Sequence, residues 1–66
     1  MKITVNGQDR EVGEGATILT LLEAAKLTPQ KVAVELNRRL VRGERYGEPL
    51  KDGDEVEIVT FVGGGA

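Results

Sequence analysis

Histidine, cysteine, serine and tryptophan are all missing from the 66 residues, and their absence closes most routes to independent catalysis. Without serine, cysteine or histidine no nucleophile–base pair of the hydrolase kind is available. Without cysteine and histidine there is no zinc site with sulfur or nitrogen ligands, no disulfide framework and no thiol chemistry. Carboxylates and lysines remain, but so short a chain leaves little room for a substrate cleft of ~300 Å³ or more. The reading is a single small domain that is not itself an enzyme. Aromatic residues are almost absent too, Tyr46 and Phe61 being the only two, and a core this small implies a stability margin of about 3–5 kcal/mol.

Neither sign of charge dominates. Nine basic and eleven acidic residues give a net charge of −2, which is no electrostatic footprint for nucleic acid. No long apolar run and no charged-then-apolar leader stands near Met1. The expectation is an untargeted, cytoplasmic protein with neither a membrane nor a nucleic acid as partner.

Glycine is present where a folded domain has least use for it. Gly63, Gly64 and Gly65 run together before Ala66, and each glycine loses more backbone freedom on ordering than any other residue while offering no side chain to bury. One reading is a frayed end or an expression residue. The other is a handle: without Cβ atoms the chain can be drawn through a narrow channel, and four extended residues reach roughly 13 Å. The division is a folded domain over residues 1–62 and a glycine tail over 63–66.

Upstream, Ile3 and Val5 alternate with Lys2 and Thr4, the period-2 pattern of a half-buried strand over residues 2–6. Asn6-Gly7 supplies the positive φ angles of a tight hairpin, and Gln8 to Val12 returns. Thr17 is the N-cap of the one helix, residues 18–26, whose stripe is Ile18, Leu21, Leu22 and Ala25. Lys26 suits its negative end, and Thr28-Pro29 stops it. Val32 to Leu36 is a third strand with Val32, Val34 and Leu36 on one face. Asn37-Arg38 turns it into Arg39-Leu40-Val41, and an irregular connection over 43–50 follows, anchored by Tyr46 and Pro49. After the Asp52-Gly53-Asp54 turn the longest strand runs from Glu55 to Val62. Together these elements predict an α+β fold, one helix packed on a mixed sheet of four to five strands.

Within the last strand Val56 and Ile58 point to the helix, and Glu55 and Glu57 point to solvent. Val59 and Phe61 share parity with the glutamates. Either a bulge near Thr60 hides one of them, or both form an apolar patch beside the tail, where a partner docks.

Two other clusters invite chemistry. Asp52, Asp54, Glu55 and Glu57 straddle a turn and a strand, which suits a hairpin better than the fixed oxygen spacing of a Ca²⁺ loop. Arg38, Arg39, Arg42 and Arg45 form the one basic run. With only Tyr46 beside them to stack a base, they read as a solvated hairpin or as steering toward an acidic partner.

Ala33-Val34-Glu35-Leu36-Asn37, Leu40-Val41-Arg42, Leu50 to Val59, and Phe61-Val62-Gly63-Gly64-Gly65 carry a resemblance across essentially the whole chain. In that order they resemble the ThiS family of thiamine-biosynthesis sulfur carriers. The resemblance implies the ubiquitin-like β-grasp fold, with the last strand central and the tail projecting from it. It implies partners as well: a ThiF-type adenylyltransferase that consumes ATP, a sulfur-donating system, and a ThiG-type thiazole synthase that receives the sulfur. The carrier itself binds no cofactor. Carried onto this sequence, Gly65 bears the adenylate and then the thiocarboxylate, Gly63 and Gly64 thread the partner's channel, and Val59 and Phe61 are the docking face. The chain departs from the family in having Ala66 after Gly65. Removal by a peptidase, a local peculiarity, or a reactive end other than Gly65 are the options. Delivery to molybdopterin or to thiolated tRNA is the nearest alternative, and an interaction module without sulfur chemistry or a lysine-conjugated modifier are the more distant ones.

Overall fold

In the computed structural model residues 1–61 are described, and the order of elements follows the hydrophobic periodicity closely. Strand β1 (Lys2–Val5) and strand β2 (Gln8–Glu11) form the first hairpin. Helix α1 (Ile18–Ala24) follows, then β3 (Val32–Leu36), β4 (Arg39–Val41) and β5 (Glu55–Thr60). Single 3-10 turns at Pro29–Lys31 and Gly43–Arg45 lie in the connections.

The two hairpins turn the way their sequences dictate. Asn6 and Gly7 have φ of 50° and 82°, and Asn37 and Arg38 have 52° and 71°. Two consecutive positive φ values match the right-handed twist of the flanking strands. β2 is polar at all four positions and exposed throughout. It is tied down from its end, where Val12 N donates to Met1 O at 2.9 Å and the N-terminal ammonium of Met1 donates to Val12 O at 2.8 Å. Val12 lies just beyond β2, and Asn6 just beyond β1.

Thr17 caps α1 as expected. Its Oγ1 accepts from Thr20 N at 3.1 Å, and Thr20 Oγ1 accepts from Thr17 N at 3.2 Å, a capping box with threonine in the place usual for Glu or Gln. The helix ends earlier than the residue-26 boundary. Lys26 N donates to Glu23 O at 3.0 Å, Leu27 N donates to Leu22 O at 2.8 Å, and Lys26 sits at φ 60°. This is a Schellman stop with lysine in the position glycine usually holds, so the composition carried no signal for it. Ala25, assigned to the apolar stripe, is the C-cap and exposed, because the stripe loses its helical phase there.

The five strands form one sheet in the order β2-β1-β5-β3-β4. β5 is central, parallel to β1 and antiparallel to β3. Thr4 N donates to Asp54 O at 2.9 Å and Asn6 N to Val56 O at 2.8 Å, fixing the parallel register. α1 crosses one face of the sheet. Ile3, Ile18, Leu22, Val34 and Val56 are all but fully enclosed between the layers, each stabilising the fold by roughly 1.5–3 kcal/mol through burial. Tyr46 and Leu50 close one end of the core. Tyr46 O accepts from Leu19 N at 3.1 Å, and Leu50 N donates to Ala16 O at 2.8 Å, while Pro49 bridges Thr17. The 43–50 connection is thus pinned to the helix start. One helix laid across a mixed sheet whose last strand is central and parallel to the first is the ubiquitin-like β-grasp arrangement.

Candidate partner-binding surface

β5 is the strand that leads to the glycines, and the face it turns away from α1 is open. Its pairing with β3 runs unbroken from Leu36↔Val56 through Val34↔Ile58 and Ala33↔Val59 to Val32↔Thr60. No bulge interrupts it, so parity alone decides which side each residue takes. Val56 is buried toward the helix and Ile58 is half-buried on the same side. Val59 and Phe61 fall on the opposite side, 58% and 54% exposed. β5 itself ends at Thr60, one residue before Phe61, although Phe61 N still donates to Lys31 O at 2.9 Å. Val62, expected as the strand's last residue, and Gly63, Gly64, Gly65 and Ala66, expected to form the tail, lie outside the described residues.

Leu40 belongs to the same face and is 72% exposed, a residue that the reading by elements missed. The signal was present: the Asn37-Arg38 turn sets Leu40 opposite Glu35, and Glu35 stands opposite Glu57. A row of Leu40, Glu35 and Glu57 therefore crosses three strands on the open side. Arg38 pairs with Glu55 on that side, Nε to Oε1 at 3.6 Å. Glu35, Arg38, Glu55 and Glu57 help to line a shallow depression of about 330 Å³ over the sheet.

The acids of the 52–54 turn are occupied by the backbone. Asp52 Oδ1 accepts from Lys2 N at 2.7 Å, and Asp54 Oδ2 accepts from Lys51 N at 2.8 Å. Asp54 Oδ1 also accepts from Asn37 Nδ2 at 3.0 Å. Among the described residues no group of three or more acidic side chains is arranged to hold a metal ion. Two members of the basic run are paired with carboxylates, Arg38 with Glu55 and Arg45 with Glu48. Arg45 is held by Glu48 at 3.2 Å, and that hydrogen bond, then the carboxylate's charge, raises the guanidinium pKa further above its ordinary value. Tyr46 is buried and has no face free for a base. No helix of the described residues is long and apolar enough to cross a membrane. With carboxylates, a guanidinium and apolar side chains, this surface is built to bind and orient a partner.

The sequence model of the ThiS family matches residues 3–65. The chain is 42% identical to the sulfur carrier protein ThiS of Bacillus subtilis over 96% of its own length and 98% of that protein. It is 39% identical to a thiazole synthase of Paramagnetospirillum magneticum over 100% of its own length but only 21% of that protein. The chain thus spans about a fifth of the thiazole synthase it matches. The crystal structure of a thiamine biosynthesis protein (ThiS) from Geobacter metallireducens superposes with a TM-score of 0.78 at 37% identity, covering 96% of this chain and 97% of that one.

Proposed function

Because the chain belongs to the ThiS family, we propose that it is a sulfur carrier of thiamine biosynthesis whose C-terminal glycine is converted to a thiocarboxylate by partner enzymes. The observation that carries the reading is the exposure of Val59 on the central strand and of Phe61 just past its end, shortly before the glycines. A partner that grips this patch holds the body while residues 63–66 extend toward its active site.

The chemistry follows from what a carboxylate lacks. A free α-carboxylate has a pKa of about 3.5, is ionised at neutral pH and resists attack. An adenylyltransferase of the ThiF type joins it to the α-phosphate of ATP, releasing pyrophosphate. Sulfide then attacks the acyl carbon, and AMP leaves with the electron pair of the broken carbon–oxygen bond; where a donor protein's persulfide attacks instead, the acyl disulfide formed is cleaved to the thiocarboxylate by a thiol reductant, which takes the donor's sulfur into a disulfide. Gly65 bears the resulting thiocarboxylate once a peptidase has removed Ala66, and Gly63 and Gly64 occupy the narrow approach. The carrier is a co-substrate, with ATP consumed by its partner.

The recipient we propose is a thiazole synthase. A protein of that name contains a stretch similar to the whole of this chain within about a fifth of its length, and joining in one polypeptide favours partners that act on each other. The test is intact-mass spectrometry after incubation with the adenylyltransferase, ATP and a sulfide source, using chain that ends at Gly65. Exchange of one oxygen for sulfur at the C-terminus is the expected result. A chain that acquires neither adenylate nor sulfur overturns the proposal.

A further inference from the structure

We infer that Asn6 is a site of hydrolytic modification: its side-chain amide is converted to a carboxylate when its contact with β5 opens, and the folded chain holds that reaction in check. The inference does not depend on the sulfur-carrier reading. The chain has two asparagines, Asn6 and Asn37, each in a hairpin turn at positive φ. Asn6 precedes Gly7, and Asn37 precedes Arg38. The backbone nitrogen that follows an asparagine can close a cyclic imide on the side-chain carbonyl carbon. Glycine leaves that nitrogen unhindered, whereas the Cβ of Arg38 crowds it. Asn6 and Gly7 are both exposed. Chain neighbours aside, no heavy atom lies within 4 Å of where a Cβ on Gly7 would stand, so water reaches the turn.

The chemistry needs only water. The Gly7 nitrogen attacks Asn6 Cγ, the Cγ–Nδ2 bond breaks, and ammonia leaves with the proton from the Gly7 nitrogen. Water then opens the imide. Cleavage between Cγ and the Gly7 nitrogen gives aspartate; cleavage between the Asn6 carbonyl carbon and that nitrogen gives isoaspartate, with an extra methylene in the backbone. In the folded chain both ends of the amide are engaged, Oδ1 accepting from Ile58 N at 2.7 Å and Nδ2 donating to Ile58 O at 3.3 Å. Attack must turn Cγ from β5 toward Gly7 and give up both bonds, while the Val5↔Gln8 pair holds the turn. Either product loses the Nδ2 donor, and a carboxylate oxygen then faces Ile58 O. Isoaspartate also lengthens a two-residue turn whose length sets the register of the hairpin. Modification therefore loosens the end of β5 that carries Val59. Asn37 braces the other end, its Oδ1 accepting from Glu55 N at 2.9 Å, but it lacks the following glycine and keeps its amide.

The experiment is mass spectrometry of the full chain and its peptides after ageing at mildly alkaline pH, with and without urea. The mass gain of an amide-to-acid exchange localises to Asn6. It accumulates roughly 3- to 10-fold more slowly in the native chain than in urea, and Asn37 is unchanged over the same period. Asp52-Gly53 can form the same imide but returns to a carboxylate without a change of mass, so it does not enter the readout. The aged native fraction is separated by its added negative charge. Amide exchange at Ile58 is then roughly 3- to 10-fold faster than in the unaged chain, and Asn6→Asp reproduces the share due to aspartate. Amide loss at Asn37 as fast as at Asn6 overturns the site. Equal rates with and without urea, or a faster rate in the native chain, overturn the check imposed by the fold. An aged chain whose Ile58 is as well protected as before overturns the consequence for β5. Each of these outcomes leaves the sulfur-carrier reading where it stands.

Discussion

The side-chain amide of Asn6 clasps the backbone of Ile58: Oδ1 accepts from Ile58 N at 2.7 Å and Nδ2 donates to Ile58 O at 3.3 Å. β1 stops at Val5, so the amide takes the place of the next strand residue and carries the pairing one step farther along β5. Asn37 does the equivalent at the other end of the strand. Its Oδ1 accepts from Glu55 N at 2.9 Å, and its N–H donates to Glu55 O at 2.7 Å. The two hairpin asparagines thus brace the central strand from opposite sides, which gives the exposed Val59 and Phe61 a fixed frame.

Asn6→Gly separates the clasp from the turn. Glycine keeps the positive φ of 50° without steric strain, so the change removes the amide and adds only the entropy of a more flexible unfolded chain. The expected cost is about 0.5–1.5 kcal/mol, since the hydrogen bonds to Ile58 N and O are exposed and water takes over part of their work. Urea denaturation reads the cost, and amide exchange at Ile58 should accelerate more than at Val34. A variant as stable as the parent, with Ile58 equally protected, would show that water replaces the amide at no loss.

How much of this was legible depended on whether the signal was local. Strand β3, both asparagine turns and the Thr17 cap follow from neighbours within four residues, and each lies where the sequence put it. The end of α1 was missed because lysine replaces the glycine that marks a Schellman stop. Leu40 was overlooked because its exposure is fixed by register across three strands, a long-range property. Strand order is equally non-local, and the resemblance supplied only the central place of the last strand, which the order β2-β1-β5-β3-β4 bears out. Whether Val59 and Phe61 are bulged or exposed was open for the same reason, and the unbroken pairing to Val32↔Thr60 decides for exposure. That Gly63, Gly64 and Gly65 suit a narrow channel follows from their missing Cβ atoms, whereas the adenylate and thiocarboxylate given to Gly65 rest on resemblance alone.

Lys26→Gly should stabilise the protein. Glycine in mid-helix usually costs ~1 kcal/mol, but Lys26 stands at φ 60° after the last turn, where its Cβ is a steric burden. Relief of that burden, less the added entropy of the unfolded chain, leaves a gain of about 0.5–1 kcal/mol. Thermal unfolding is the readout. A lower melting temperature would mean that the lysine's charge at the helix end outweighs its strain.

Leu22→Ala tests how thin the core is. Leu22 is 1% exposed and its carbonyl receives the Leu27 N–H that closes the helix. Truncation of a buried leucine costs about 2–5 kcal/mol, comparable to the whole margin of a domain this size at roughly 3–5 kcal/mol. Circular dichroism at 25 °C should show a largely unfolded chain. A cooperative transition near the parent's would mean that the sheet collapses onto the helix without a cavity.

Phe61→Asp addresses the proposed docking face directly. Phe61 is 54% exposed on the side away from α1, and its structural tie is a backbone bond to Lys31 O, which the substitution keeps. Folding should be intact by circular dichroism, with adenylation by the partner abolished, because a charge then sits where an apolar recess must close. Unchanged adenylation rates would remove Phe61 from the interface.

Gly64→Val asks whether the tail threads a channel, and it lies outside the described residues. If the partner admits only bare backbone, a branched side chain blocks passage before the carboxylate reaches ATP, and β-branching also restricts the extended chain's rotamers. The stability of the body should be unaltered, since residues 1–61 supply the whole described core. Adenylation should fall to background, while binding through Val59 and Phe61 persists and the variant competes with the unaltered carrier. That combination separates threading from docking: a variant that neither binds nor reacts implicates the patch, and one that reacts at the normal rate leaves the glycines without the role given to them here.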